Sequence, residues 1–204
     1  MGIAAMVAVL LGVLGVSLAF APEPDPIPRR WQLAIEPGAM RVASMDVPGV
    51  GTRAYFYMTY KVTNTSDTDL LFTPTFDMLT DDGALLRAGR DVPQDVTKEI
   101  LRRVDNPFVQ DQVSIVGPLL QGEANAKEGL VIWPVTSTRC GEFSVFASGF
   151  SGETRPIETL NPADHTKMKV LLRKTLMMRF QGPGELFDMQ ARTIPMIDRT
   201  WVMR

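Results

Sequence analysis

The chain has one cysteine and one histidine in 204 residues. A single cysteine excludes an intrachain disulfide, and one cysteine with one histidine leaves too few soft ligands for a Cys/His zinc site. Neither sign of charge is in excess: 21 basic side chains stand against 23 acidic ones, a formal net charge of −2. That balance gives no electrostatic reason to expect nucleic acid as a partner. No Gly-rich phosphate loop, dinucleotide fingerprint or haem-attachment motif occurs, so no cofactor is expected. Charge is missing altogether from residues 1–21, and every Lys, Arg, Asp and Glu lies in residues 22–204. The chain therefore divides into an uncharged apolar leader and a body of about 180 residues, one ordinary domain with enough chain for a core.

The leader, residues 1–21, carries the run GIAAMVAVLLGVLGVSLAFA. About 20 apolar residues at a helical rise of roughly 1.5 Å cross the hydrocarbon core of a bilayer. A cleaved signal peptide competes with a retained span, because Ala19-Phe20-Ala21 matches the A-x-A pattern that precedes a cleavage point. Retention is favoured by the length of the run, by the absence of a basic stretch before it, and by Pro22 just past the cut. Ala4, Ala8 and Gly12 lie four apart, the spacing at which small residues let helices pack closely in a membrane. Residues 22–30 form a Pro-rich spacer: Pro22, Pro24, Pro26 and Pro28 alternate with other residues and predict an extended, stiff segment. Orientation is contested. Arg29 and Arg30 just past the span argue for a cytoplasmic body, whereas the A-x-A site argues for export.

From Trp31 onward the dominant period is two, as in strands with one buried face. In residues 54–64, Phe56, Met58, Tyr60 and Val62 share one side. Leu70, Phe72, Pro74, Phe76 and Met78 alternate along a second strand, with Pro74 marking an edge or bulge. Asp81-Asp82-Gly83 predicts a tight hairpin into residues 84–87. Further strands are expected over 40–47, 112–116, 129–134, 142–149, 168–180 and 193–203. In 168–180, the inward set is Val170, Leu172, Leu176, Met178 and Phe180. One segment differs: Val96, Ile100, Leu101 and Val104 form a helical stripe within 93–106. The fold expected for residues 31–204 is all-β, an Ig-like β-sandwich with one inserted amphipathic helix. That helix packs its stripe on the core, capping an open end being one position for it and docking on a partner the alternative use. A transmembrane helix would precede the sandwich.

The segment YKVTNTSDTDLLFTPTFDMLTDDG resembles the V-x-N-x-(S/T) strand, apolar strand and DDG turn of exported Ig-like domains such as the DUF4352-type sandwiches. GEFSVFASGFSGE, MKVLLRKTLMMRF and the ending RTWVMR resemble envelope proteins of planctomycete-type bacteria. The resemblance spans most of residues 31–204. It implies an exported, anchored, Ig-like protein and supplies no catalytic signature. Taken with the apolar leader and its A-x-A site, this makes the expected location the bacterial inner membrane with the body on the periplasmic side, the alternatives being the cytoplasmic side or cleavage and secretion.

Candidate chemistry is sparse. Gly149-Phe150-Ser151-Gly152-Glu153 approaches a nucleophile elbow, but Glu153 stands where G-x-S-x-G needs glycine. The only histidine, His165, follows Asp164 directly, a poor arrangement for a triad. Cys140 follows Arg139, an arrangement that can lower a thiol pKa and suit a dyad with the single histidine, but a surface or half-buried structural cysteine is the favoured reading. Asp67, Asp69, Asp81 and Asp82 lie in turn sequences that explain them without calcium. Met58, Met78 and Met178 fall on inward strand positions and form no copper-binding cluster. Lys167, Lys169, Arg173, Lys174 and Arg179 crowd one strand, and Lys169, Arg173 and Arg179 share its outward face. That face is a solvated or edge-protecting surface, or else a basic contact face for anionic lipid or an acidic partner. These observations favour a non-catalytic accessory or scaffolding subunit of an extracytoplasmic membrane complex. It would hold the membrane through one N-terminal span and a protein partner through its body. The rivals are a free envelope binding module for a protein, glycan or lipid, and, further behind, a hydrolase.

Overall fold

The structure is a computed structural model that describes residues 21–27, 30–137, 139–161, 163–185 and 193–204. The leader, with Ala4, Ala8 and Gly12, lies outside the described residues. Among those described, no helix is long and apolar enough to cross a membrane.

Strands β1 (Ala34–Val47) and β2 (Gly51–Thr63) form a long antiparallel hairpin. β2 has the expected alternation, with Phe56, Met58, Tyr60 and Val62 all buried. β1 begins before the expected residue 40, because a register shift between Pro37 and Met40 lets a proline sit in the strand. A Cβ on Gly38 would lie 2.6 Å from Thr59 Oγ1, so only glycine allows the two strands to approach there. The strand expected over 70–78 is in fact two: β3 (Leu70–Phe72) and β4 (Thr75–Leu79). At Thr73-Pro74 the chain leaves the sheet containing β3 and enters another, since proline cannot donate to a continuing ladder. β5 (Leu85–Arg87) completes the expected hairpin through Gly83 at φ 84°.

The helix α1 (Gln94–Val104) is the expected one, and it buries Val96 and Ile100. It packs its stripe on the core as expected, but at a different place from the end of the sandwich. It does not cap an open end; it lies on the outer face of the hairpin sheet, in one cluster with Ala43, Met45, Val47, Tyr55, Leu130 and Ile132. β6 (Val109–Gln110) and β7 (Gly117–Leu119) flank residues 112–116, which were expected as a strand but form a turn. The Asp111 carboxylate accepts the Val113 and Ser114 amides and pins that turn, while Ile115 inserts into the core. β8 (Lys127–Pro134), β9 (Arg139–Ser148), β10 (Thr154–Leu160) and β11 (Lys167–Glu185) follow. The last segment breaks at Pro195 into β12 (Thr193–Ile194) and β13 (Met196–Met203).

Two large sheets result. One has the order β12-β1-β2-β8-β6; the other runs β10-β11-β9-β4-β5, with β13 also paired to β11. β3 and β7 make a separate pair. The large sheets pack face to face. Phe56 and Trp133 of the first share one buried cluster with Phe76, Phe143 and Phe180 of the second. Phe56 meets Phe143 across the interface with ring centroids 5.4 Å apart, and Tyr60 meets Phe76 at 4.8 Å. The body is thus all-β, a sandwich with one helix. Asn64, from the V-x-N-x-(S/T) segment, is fully buried and ties the β2 exit to the β3-β7 pair by donating to Thr68 O at 2.8 Å and Leu119 O at 3.0 Å.

Candidate functional site

β9 and β10 lie on the same side of β11, as one strand interrupted at residues 149–153. Gly149 allows the interruption. Its φ is 90°, and a Cβ there would stand 2.6 Å from the Thr73 carbonyl oxygen. The excursion drops Phe150 into the core, and Trp31 to Leu33 pair along it through Leu33 N to Phe150 O at 2.8 Å and Gly152 N to Trp31 O at 3.0 Å. Beyond this point β9 has ended. β13 ends too, its last contact being the paired backbones of Arg204 and Arg173. What continues is a two-stranded ribbon, β10 against residues 167–173, from the pair Thr154–Arg173 to the pair Leu160–Lys167. Seven residues at roughly 3.3 Å each make it about 23 Å long.

A buried ionic cluster lies at the ribbon base. Lys174 occupies an inward position of β11, and its side chain is 4% exposed; Glu153 on the excursion is 7% exposed. Lys174 Nζ lies 3.0 Å from Glu153 Oε2 and donates to the Asp25 carbonyl at 3.2 Å. The Asp25 amide donates to Glu153 Oε1 at 2.9 Å, and Arg155 holds the Asp25 carboxylate at 2.6 Å. Trp201 covers Lys174 from the β13 side, with 5.7 Å between Nζ and the ring centroid. Burial pushes the Glu153 carboxyl toward its neutral form, but the Asp25 amide and the Lys174 and Arg155 charges outweigh it and leave its pKa below the ordinary value. These contacts fasten the Pro-rich segment. Ala21 to Pro24 share a groove of about 420 Å³ with Thr200 to Met203 of β13. As far as residues 21–25 go, the segment expected as a free-standing spacer lies against the body.

The three basic residues assigned to one outward face do keep one parity along β11, but the structure does not gather them. Lys169 and Arg173 stand on the ribbon with Lys167. Arg179 lies about 20 Å farther along the strand, on the body, where Glu142 engages it through two guanidinium nitrogens. Lys174 points inward, into the ionic cluster. Leu160 and Leu171 share the outward ribbon face with Lys167, Lys169 and Arg173. Glu158 stands opposite Lys169 in the register, so three basic side chains face one acidic one.

The structure separates the catalytic candidates. Ser151 is at the base of the ribbon and His165 at its tip, with the length of β10 between them. The Asp164 carboxylate accepts Thr166 N and Thr166 Oγ1, and Ser151 Oγ accepts the Glu153 amide. Cys140 is buried, and burial first, then Asp81 and Asp82, pushes its thiol up to about 11, which fits a structural cysteine rather than one activated by Arg139. The acidic loop residues hold backbone: Asp69 accepts Gln121 N, Asp81 accepts Gly141 N and Asp82 accepts Ala84 N. Among the described residues no three His, Cys, Asp or Glu are grouped as metal ligands. Met58, Met78 and Met178 are in the core.

Sequence reasoning missed the Glu153–Lys174–Asp25 cluster. One signal was present: Lys174 falls between Leu172 and Leu176 in an inward series, and a lysine in such a place needs a carboxylate partner. Against known proteins, no family model matches the chain, and no curated protein or solved structure matches it.

Proposed function

We propose that this chain is a non-catalytic, membrane-anchored accessory or scaffolding subunit of an extracytoplasmic complex. In this reading the leader is a retained transmembrane helix in the bacterial inner membrane, and the body is an Ig-like sandwich on the periplasmic side, of the type seen in exported envelope proteins. The observation that carries the proposal is the buried cluster joining Asp25 to Glu153, Arg155 and Lys174. A domain meant to search for ligands on a tether benefits from a loose linker. Here the chain is fastened to the body four residues past the leader. Four residues from Asp25 to Ala21 reach at most about 14 Å, so the span and the body would be held in close register. Fixed stance serves a subunit that positions a partner. In the membrane, Ala4, Ala8 and Gly12 offer the face for a partner helix.

Purification of the full chain in mild detergent, with intact mass on the product, tests this. The expected result is an uncleaved chain recovered with partner proteins in fixed ratio. Recovery as a lone chain lacking residues 1–21 would overturn it. One observation favours the second reading, a free binding module: a groove of about 670 Å³ between α1 and the β1–β2 turn, of the size that small ligands occupy. Its floor is Met45, Val47 and Val96, and its rim carries Asp46, Asp95 and Glu99.

A further inference from the structure

Resting on the anchored reading above, we infer that the outward face of the β10–β11 ribbon docks on an anionic lipid bilayer, the same bilayer that the leader enters. Two-stranded ribbons are marginal in water by themselves and gain from a surface to lie on. This one exposes Leu160 at 55% and Leu171 at 54%, on the face that carries Lys167, Lys169 and Arg173. Leucine between long basic side chains is the composition of interfacial segments: the apolar groups enter the headgroup boundary, and the stems of Lys and Arg lie along it while their charges meet lipid phosphates. Protection of a strand edge by charge accounts for the lysines but not for the leucines beside them.

Many basic side chains of the body are held by carboxylates. Arg179 is held by Glu142, Arg87 and Arg204 by Asp77, Arg102 and Arg103 by Glu99, and Lys61 by Glu123. Lys167, Lys169 and Arg173 make no ion pair among the described residues. The exposed Arg53, Arg90, Arg139 and Arg199 make none there either, but they stand singly on separate segments, whereas the ribbon gathers three on one face. A chain with a net charge of −2 therefore presents a local cationic face, complementary to anionic headgroups. Position supplies the third argument. The ionic cluster roots Asp25 at the ribbon base through Arg155 of β10 and Lys174 of β11. The end of the leader thus lies within about 14 Å of the root of a ribbon about 23 Å long. A bilayer entered by the leader is within the ribbon's reach.

The test places an environment-sensitive nitrobenzoxadiazole label at position 171 through Leu171→Cys in the full chain. Wild type provides the labelling blank, since Cys140 is buried. A second label goes on the β1–β2 turn through Val50→Cys, a site 54% exposed and outside the ribbon. Labelled protein is reconstituted into phosphatidylcholine vesicles with and without phosphatidylglycerol, and flotation is recorded on the same samples. The expected result is flotation with both vesicles and a blue shift at position 171 only with phosphatidylglycerol. No shift is expected at position 50, and Lys167→Glu/Lys169→Glu/Arg173→Glu should abolish the shift at position 171 without changing flotation or the thermal melt. An unshifted label on floating protein would overturn the ribbon inference and leave the anchored reading standing, as would equal shifts with both lipids. A shift seen only when native membrane proteins are present would overturn it in favour of an acidic protein partner. Protein that fails to float would overturn both.

Discussion

The two large sheets are built from strands of similar composition but are buried differently. The β1–β2–β8 sheet is covered on both faces, by the opposing sheet on one side and by α1 on the other. In β8, Gly129 through Trp133 are all buried, so the run GLVIW shows no alternation. The β11 sheet is covered on one face only, and along β11 burial falls from an alternating core segment to a ribbon that is mostly exposed. The comparison teaches that one strand can serve two environments. From Leu176 to Phe180, β11 is core; from Lys167 to Arg173 it is a surface element held at its root by ions.

Mutations should separate these environments, and the doubly covered sheet should give the largest effect. Trp133→Ala is expected to cost about 3–5 kcal/mol in urea unfolding, since the ring is fully buried between the sheets. A cost below about 1 kcal/mol would show that the interface repacks freely. Next comes the ionic root. Lys174→Met leaves Glu153 charged and buried without its main partner and is expected to cost about 3 kcal/mol, much of it recovered in Lys174→Met/Glu153→Met. The single substitution should also speed hydrogen exchange at the Asp25 amide, which Glu153 accepts. Ile100→Ala in α1 should cost about 2–4 kcal/mol, because the side chain is fully buried against the outer face.

Acid should loosen the ribbon root through Glu153. The Glu153 pKa is lowered in the folded state, so its contribution is complete above the unfolded value of about 4.3 and is lost as pH falls through the lower folded value. Protection of the Asp25 amide, relative to its intrinsic exchange rate, should therefore fall as pH drops through the lowered folded value, and Glu153→Gln should flatten that fall. The smallest effect is expected on the outward ribbon face. Lys169→Glu should shift stability by no more than about 0.5 kcal/mol, because the side chain is exposed and makes no ion pair among the described residues. A larger loss would mean that the ribbon is held by more than its root.

The legible parts of the fold were those set by local pattern. β2 and the core half of β11 alternate because a sandwich wets one side of a strand, and α1 carries its stripe because one helical face is buried. β10 was illegible: in TRPIETL a proline and exposed polar residues weaken the period, and the strand is held by register with β11. The strand expected over 112–116 failed because Asp111 turns the chain locally, and Ile115 reaches the core from a loop. Of the candidate site, the outward parity of Lys169, Arg173 and Arg179 was readable, but not that Glu142 holds Arg179 on the body.

By itself the sequence determined an uncharged leader, a single β-rich body and one amphipathic helix, since these follow from charge, length and period along the chain. Only the tertiary structure decided which sheet the helix covers, where β11 leaves the core, and that Asp25 meets Glu153 and Lys174 from 128 and 149 residues away. Such contacts depend on how sheets stack and where strands end. A buried charge declares in sequence only that it needs a partner, and folding decides which one it gets.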